Sequence, residues 1–181
     1  MLRLQRITTS DTELYNYVEK LLVASFPDNE YRPLKQWREY TDGKKHFYNN
    51  VIFNDNTPIG VITYWDFGTF YYAEHFAIAP QQRNGGFGKK ALNQLCQTLK
   101  RPIVLEVEMP DNEMAQRRIG FYQRQGFTLW SYPYKQPPYK QGDDFLPMYL
   151  MVYGDLQCEK DVELVKECIY REVYDIEQPA H

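Results

Sequence analysis

Apolar positions along this chain alternate between two periods, and the switches outline its elements. Leu2, Leu4 and Ile7 suggest a short first strand. Leu14, Tyr17, Val18, Leu21 and Leu22 then recur at helical spacing. Ser10-Asp11-Thr12-Glu13 before them reads as a capping box, and Phe26-Pro27 ends the run. A second helix is predicted from Pro33 through Trp37 and Tyr40 to Gly43. His46 to Phe53 and Ile59 to Trp65 read as strands joined by the turn Asn54-Asp55-Asn56-Thr57-Pro58. After Gly68-Thr69 a third strand of this group runs from Phe70 to Ala79. A glycine turn leads into a helix carrying Ala91, Leu92, Leu95, Cys96 and Leu99. Ile103 to Glu108 alternates as a strand, and a helix from about Asn112 is predicted to end at Gly126 in a left-handed cap. Strands at Phe127–Tyr132 and Leu146–Tyr153 flank a Pro/Tyr-rich loop over 133–144. Val162, Val165, Cys168, Ile169 and Val173 form one face of a closing helix, about 158–173. The order β-α-α-β-β-β-α-β-α-β-β-α describes one α+β domain over 1–181 with a mixed sheet.

Composition narrows this further. A hydrophobic share of 43% in 181 residues can build a substantial core. The net charge of −3 and the dispersed Lys and Arg give no nucleic-acid surface. No apolar run reaches membrane-spanning length, and the first residues lack the apolar core of a signal peptide. Cys96, Cys158 and Cys168 are odd in number and unevenly spaced, which fits reduced thiols in a cytoplasmic protein and no metal site.

The candidate chemistry starts at Pro80-Gln81-Gln82-Arg83-Asn84-Gly85-Gly86-Phe87-Gly88. Strand, glycine turn and helix N-terminus together make an anion cradle of backbone N–H groups. A nucleotide P-loop is excluded, since Gly88-Lys89 is followed by Lys90 and Arg83 stands where the first glycine belongs. Gly86-Phe87-Gly88-Lys89-Lys90-Ala91 matches a dinucleotide fingerprint, with Glu106 about twenty residues on. The strand before it, however, ends a run of three strands instead of opening a βαβ series.

Arg83-x-x-Gly86-x-Gly88 is followed by Ala115-x-x-x-x-x-x-Tyr122-x-x-x-Gly126-Phe127. In order and separation these two segments resemble the GNAT N-acetyltransferase superfamily across about 71–129. The fold implied is a single-domain, mixed and mostly antiparallel twisted sheet flanked by helices. The activity implied is transfer of an acetyl group from acetyl-coenzyme A to an amine, with no metal and no covalent enzyme intermediate. A non-catalytic acyl-coenzyme-A-binding module on the same fold is the alternative. The family's frequent Asn falls on Ala115, so a bond at that helix start is missing or replaced.

The resemblance implies roles for particular residues. Arg83, Asn84, Gly85, Gly86, Phe87, Gly88 and Lys89 would hold the pyrophosphate of the cofactor. Phe76, Ala77 and Ile78 would lie along its pantetheine arm. Tyr122 would act as general acid toward the thiolate, and Glu74, directly or through water, would accept the amine proton. His75 is the neighbouring candidate base. On a regular strand it faces away from Glu74, so both face one site only if a bulge intervenes. Phe26, Glu30, Glu106 and Glu108 are candidates for binding a small-molecule amine, the carboxylates attracting an ammonium group. The loop 131–144 is either an aromatic lid or a surface loop, and the chain is expected as monomer or homodimer.

Overall fold

In the computed structural model, which describes residues 1–177, seven strands form one sheet in the order β1-β2-β3-β4-β5-β7-β6. The strands are β1 (Leu2–Arg6), β2 (Phe47–Asn54), β3 (Thr57–Asp66), β4 (Tyr71–Ile78), β5 (Ile103–Glu108), β6 (Thr128–Gln136) and β7 (Leu146–Tyr153). All neighbours are antiparallel except β4 and β5. The helices are α1 (Thr12–Ser25), α2 (Leu34–Gly43), α3 (Phe87–Thr98), α4 (Glu113–Arg124) and α5 (Cys158–Tyr174). The mixed, mostly antiparallel sheet and the element order are those predicted.

Both faces of the sheet are covered, which is why its central strands read as nearly continuous apolar runs. On one face Val18, Leu22, Trp37, Val165 and Ile169 from α1, α2 and α5 pack on Val51, Val61, Trp65 and Tyr72. On the other, Leu92 and Leu95 of α3 and Ile119 of α4 pack on Ile52, Ile62, Ala73 and Leu105. The period-two alternation of strand side chains divides these residues between the two cores.

Local details depart from the sequence reading in three places. The capping box at Ser10–Glu13 does not form. Asp11 takes the N-cap position, its carboxylate accepts from the Thr8 N–H at 2.9 Å, and the Ser10 and Thr8 hydroxyls meet at 2.6 Å. In α1, Tyr15 is buried and Leu14 only partly so. The strand predicted to stop at Tyr132 continues to Gln136, because β7 pairs with it as far as Gln136↔Leu146. The connecting loop is therefore 137–145.

Gly60 on β3 sits where β4 crosses closest. A Cβ there would lie 2.5 Å from the Ala77 carbonyl oxygen, a backbone atom that cannot rotate away. Gly60→Ala should therefore push the end of β4 outward and destabilise the fold by about 1–3 kcal/mol in chemical denaturation.

Candidate active site

β4 and β5 pair at only two positions, Tyr71↔Ile103 and Tyr72↔Val104. Beyond them the strands separate and leave a cleft of about 360 Å³ lined by Glu74, His75, Phe76, Ile78, Glu106 and Tyr122 among others. Ala79 N–H bonds Ile59 O of β3 at 2.8 Å. By the alternation of an antiparallel ladder, Ala77 also turns its backbone groups to β3, while Phe76 and Ile78 turn theirs to the open cleft. Ala77, expected beside Phe76 and Ile78 on the cofactor, is thus engaged through its backbone with Val61.

A β-bulge interrupts β4. Thr63 pairs with His75 and Tyr64 with Ala73, which leaves Glu74 as the extra residue. Ala73 and Phe76 pack on the α3 side, whereas Glu74 bonds Trp65 and His75 packs edge-on to Trp37 and Phe26 on the α1/α2 side. The bulge puts Glu74 and His75 on one face.

At the far end of β4 the chain turns through 79–86 into α3. Asn84 and Gly86 have φ of 69° and 72°. Gly86 is the N-cap of α3, a left-handed position that a glycine adopts without steric penalty. Lys90 N–H closes the first turn on Gly86 O, so the amides of residues 87–89 have no partner within the helix. Arg83 Nε donates to Ile78 O at 3.1 Å and ties this turn to the cleft edge. The result is a cluster of free N–H groups at a positive helix end, suited to an anion.

α4 brings up the opposite wall. Asn112 caps it, accepting from Ala115 N–H at 2.9 Å, so the helix-start bond lost at Ala115 is replaced three residues earlier. At the other end Phe127 N–H bonds Tyr122 O and Gly126 N–H bonds Gln123 O, with Gly126 at φ 94°. This is a Schellman termination. It explains the Tyr-x-x-x-Gly-Phe spacing: the glycine ends the helix one turn after the tyrosine and fixes where Tyr122 stands. Tyr122 packs between Phe121 and Phe127, and burial pushes its hydroxyl up to about 12, so it is a protonated donor at neutral pH.

Two carboxylates on the facing strands have opposite surroundings. Glu74 is wholly buried and forms an ion pair with Arg32, whose side chain is 1% exposed. Trp65 Nε1 donates to it at 2.7 Å and the Tyr139 hydroxyl at 3.0 Å. Burial alone would raise this carboxyl, but the Arg32 charge and the hydrogen bonds from Trp65 and Arg32 outweigh it and hold it below its ordinary 4.5. Arg32 also donates to Val173 O at 3.3 Å and lies over the ring of Tyr40 at 4.4 Å.

Among the described residues no cation pairs with Glu106. It accepts from Tyr134 at 2.5 Å, from Tyr174 at 2.9 Å and from the Gln136 amide. Burial raises its carboxyl above 4.5 against the pull of these neutral donors. The Tyr139 and Tyr174 oxygens, 3.4 Å apart, connect the two carboxylates. Glu30 and Glu108 stand at the same cleft with Arg118, which pairs with Glu108 at 3.2 Å. Burial and the Glu108 charge raise the Glu30 carboxyl, and Arg118 lowers it. His75 Nε2 meets Glu30 O at 2.8 Å, and burial depresses its pKa, so the ring is neutral at pH 7. The loop after β6 closes over this side. Tyr139 rests on Glu74, and Lys140 pairs with Asp28 at 2.7 Å.

The family model described as acetyltransferase (GNAT) family matches residues 11–127. A GNAT-family chain of known structure from Bacteroides thetaiotaomicron is 61% identical over 97% of this chain and 99% of its own, with a TM-score of 0.95. The chain belongs to the GNAT acetyltransferase family. A Bacillus subtilis acetyltransferase in complex with CoA shares the fold at 16% identity and a TM-score of 0.58, over 86% of this chain and all of its own. So does an Elizabethkingia anophelis GNAT acetyltransferase with acetyl-CoA bound, at 16% identity and 0.57, over 85% and 98%. No curated protein sequence matches.

Within this GNAT chain the cleft gathers Phe26, Glu30, Glu74, Phe76, Ala77, Ile78, Arg83, Glu106, Glu108 and Tyr122. Asn84, Gly85, Gly86, Phe87, Gly88 and Lys89 form the turn and helix start beyond its edge. Sequence reasoning missed Arg32, Tyr139, Tyr174 and Gln136, which orient the two carboxylates from four separate segments. Gln136 and Tyr139 lay in the loop 131–144 read as a possible lid, and Arg32 in the connection between the first two helices; Tyr174 had no signal. Among the described residues no group of three or more His, Cys, Asp or Glu could hold a metal ion, and no helix is long and apolar enough to cross a membrane.

Removing Arg32 leaves a buried charge without its counterion, so Arg32→Met should cost about 3–5 kcal/mol in chemical denaturation. The Glu74 carboxyl is depressed in the fold, so its stabilisation is complete above the unfolded value and fades as pH falls through the folded one. The stability gap between wild type and Glu74→Gln should hold down to about pH 5 and narrow below it.

Proposed function

We propose that this protein transfers an acetyl group from acetyl-coenzyme A to the amine of a small molecule, with Glu106 receiving the amine proton and Tyr122 protonating the thiolate. One observation carries this reading: a single cleft holds an anion-binding turn at one end, a protonated tyrosine on one wall and an uncompensated carboxylate on the other. The coenzyme and acetyl-coenzyme A in similar folds from Bacillus subtilis and Elizabethkingia anophelis support the choice of cosubstrate. The free amides at 87–89 suit its pyrophosphate, and the backbone of Phe76 and Ile78, which has no strand partner on the cleft side, suits its amide-bearing arm.

An ammonium substrate is drawn to the side of the cleft where Glu30, Glu106 and Glu108 stand. A primary amine with pKa of about 10.4 must lose a proton before it can attack. Glu74, expected as the base, is a poor one: it is ion-paired, fully buried and depressed. Glu106 accepts only from neutral donors, and burial raises its carboxyl toward the amine. The nitrogen attacks the thioester carbonyl, the N–C bond forms and the C–S bond breaks. Glu106 takes the proton whose loss frees the nitrogen lone pair, and the second nitrogen proton, shed as the amide forms, goes to water. The departing sulfur takes the proton of the Tyr122 hydroxyl, and the Tyr122 oxygen regains one from water. Glu74 is a positioning residue that anchors Arg32 and Tyr139 beneath the acceptor.

Thiol release with acetyl-coenzyme A over a panel of small amines tests the whole reading. Coenzyme binding without release to any amine would instead support a non-catalytic module. Tyr122→Phe should lower turnover by about tenfold to a hundredfold with little change in coenzyme affinity. Unchanged turnover removes Tyr122 from the chemistry. The wild-type rate should rise with pH through a limb set by Glu106, with its midpoint above 4.5. Glu106→Gln should abolish that limb and lower turnover by roughly a hundredfold or more, whereas Glu74→Gln should keep the limb.

A further inference from the structure

A second cavity lies outside the cleft, between the β6–β7 hairpin and α5. Its origin is an irregularity in pairing. Trp130 pairs with Leu150 and Tyr134 with Met148, so β6 takes four residue steps where β7 takes two. The surplus, which includes Pro133, bows β6 away from β7. The space encloses about 680 Å³, a volume typical of small-molecule sites. Its walls are Pro133, Tyr134, Phe145, Met148, Tyr170 and Ile176. Tyr134 and Tyr170 meet edge to face at 6.0 Å, and Phe145 is inclined to Tyr170 at 6.4 Å, so ring faces and edges line the space.

The charge at this cavity is one-sided. Lys135 and Lys166 line it, and among the described residues no Asp or Glu does. Neither lysine forms an ion pair among the described residues. Lys166 Nζ lies 5.6 Å from the centre of the Tyr170 ring. Phe145 remains 45% exposed at the rim. The amine-binding end of the cleft has the opposite preference, since Glu106 there favours a cation. Tyr134 separates the two: its ring lines the cavity and its hydroxyl donates to Glu106.

We infer that this cavity is a separate binding site for a small aromatic monoanion, its rings seated between Tyr134, Tyr170 and Phe145 and its carboxylate or sulfonate held at Lys135 and Lys166. Rings supply the apolar and edge-to-face contacts, and the two ammonium groups select the anionic head. The inference does not depend on acetyl transfer in the cleft.

Fluorescence titration with anilinonaphthalene sulfonate tests it, with the uncharged N-phenylnaphthylamine as control. One sulfonate probe per chain should bind, and Ser131→Trp, which places an indole in the cavity from its exposed edge, should remove that binding. Lys166→Glu should weaken the sulfonate by about fivefold or more and the uncharged probe by less than about twofold. Undiminished binding to Ser131→Trp overturns the proposal. So does equal weakening of both probes by Lys166→Glu. Sedimentation showing a concentration-dependent dimer that Ser131→Trp disperses also overturns it, because a second copy then covers the cavity.

Discussion

Two parallel strands that begin paired and then part determine most of what this fold can do. β4 and β5 share two residue pairs and diverge, which leaves backbone groups of Phe76 and Ile78 without a strand partner. In a continuous sheet those groups would be satisfied and no ligand could reach them. The α1/α2 side of β4 is anchored where the strands part. Arg32 enters beneath the strands, pairs with Glu74 at the bulge and reaches Val173 O at the end of α5. One buried guanidinium thus joins the α1–α2 connection, β4 and the closing helix.

The two strands carry the same functional group in different electrostatic settings. Glu74 has a cation and donors on both oxygens and stays ionised. Glu106 has only hydroxyl and amide donors and is raised by burial. Environments that push like groups apart are how a fold separates a structural carboxylate from a proton acceptor. Tyr139 and Tyr174 lie between them and remain neutral, since burial raises both hydroxyls well above the ordinary tyrosine value. Each gives its one proton to a carboxylate, Tyr139 to Glu74 and Tyr174 to Glu106, without adding charge.

Features visible along the chain were those with short-range physics. The turn at 83–88 was legible because left-handed backbone and a helix N-terminus leave a glycine signature. Tyr122-x-x-x-Gly126-Phe127 was legible because a Schellman termination needs a glycine at one position. The helices and strands followed from periodicity, and the sheet is the mixed, mostly antiparallel one expected. The capping box at Ser10–Glu13 shows the limit of local reasoning. Asp11, Ser10 and Thr8 found one another as partners, and Thr9 bonded Asp42 from α2. The end of β6 was misread for a similar reason: prolines suggested a loop, while pairing with β7 carried the strand on to Gln136.

The sequence by itself determined the elements and the glycine turn at 83–88, because each rests on residues within a few positions of one another. The tertiary structure alone decided which carboxylate is ion-paired and which is held by neutral donors. Glu74 is engaged by Arg32, Trp65 and Tyr139, and Glu106 by Tyr134, Gln136 and Tyr174, partners 9 to 68 residues away. A pKa depends on burial and on charges brought within a few ångströms, and only the folded chain places them.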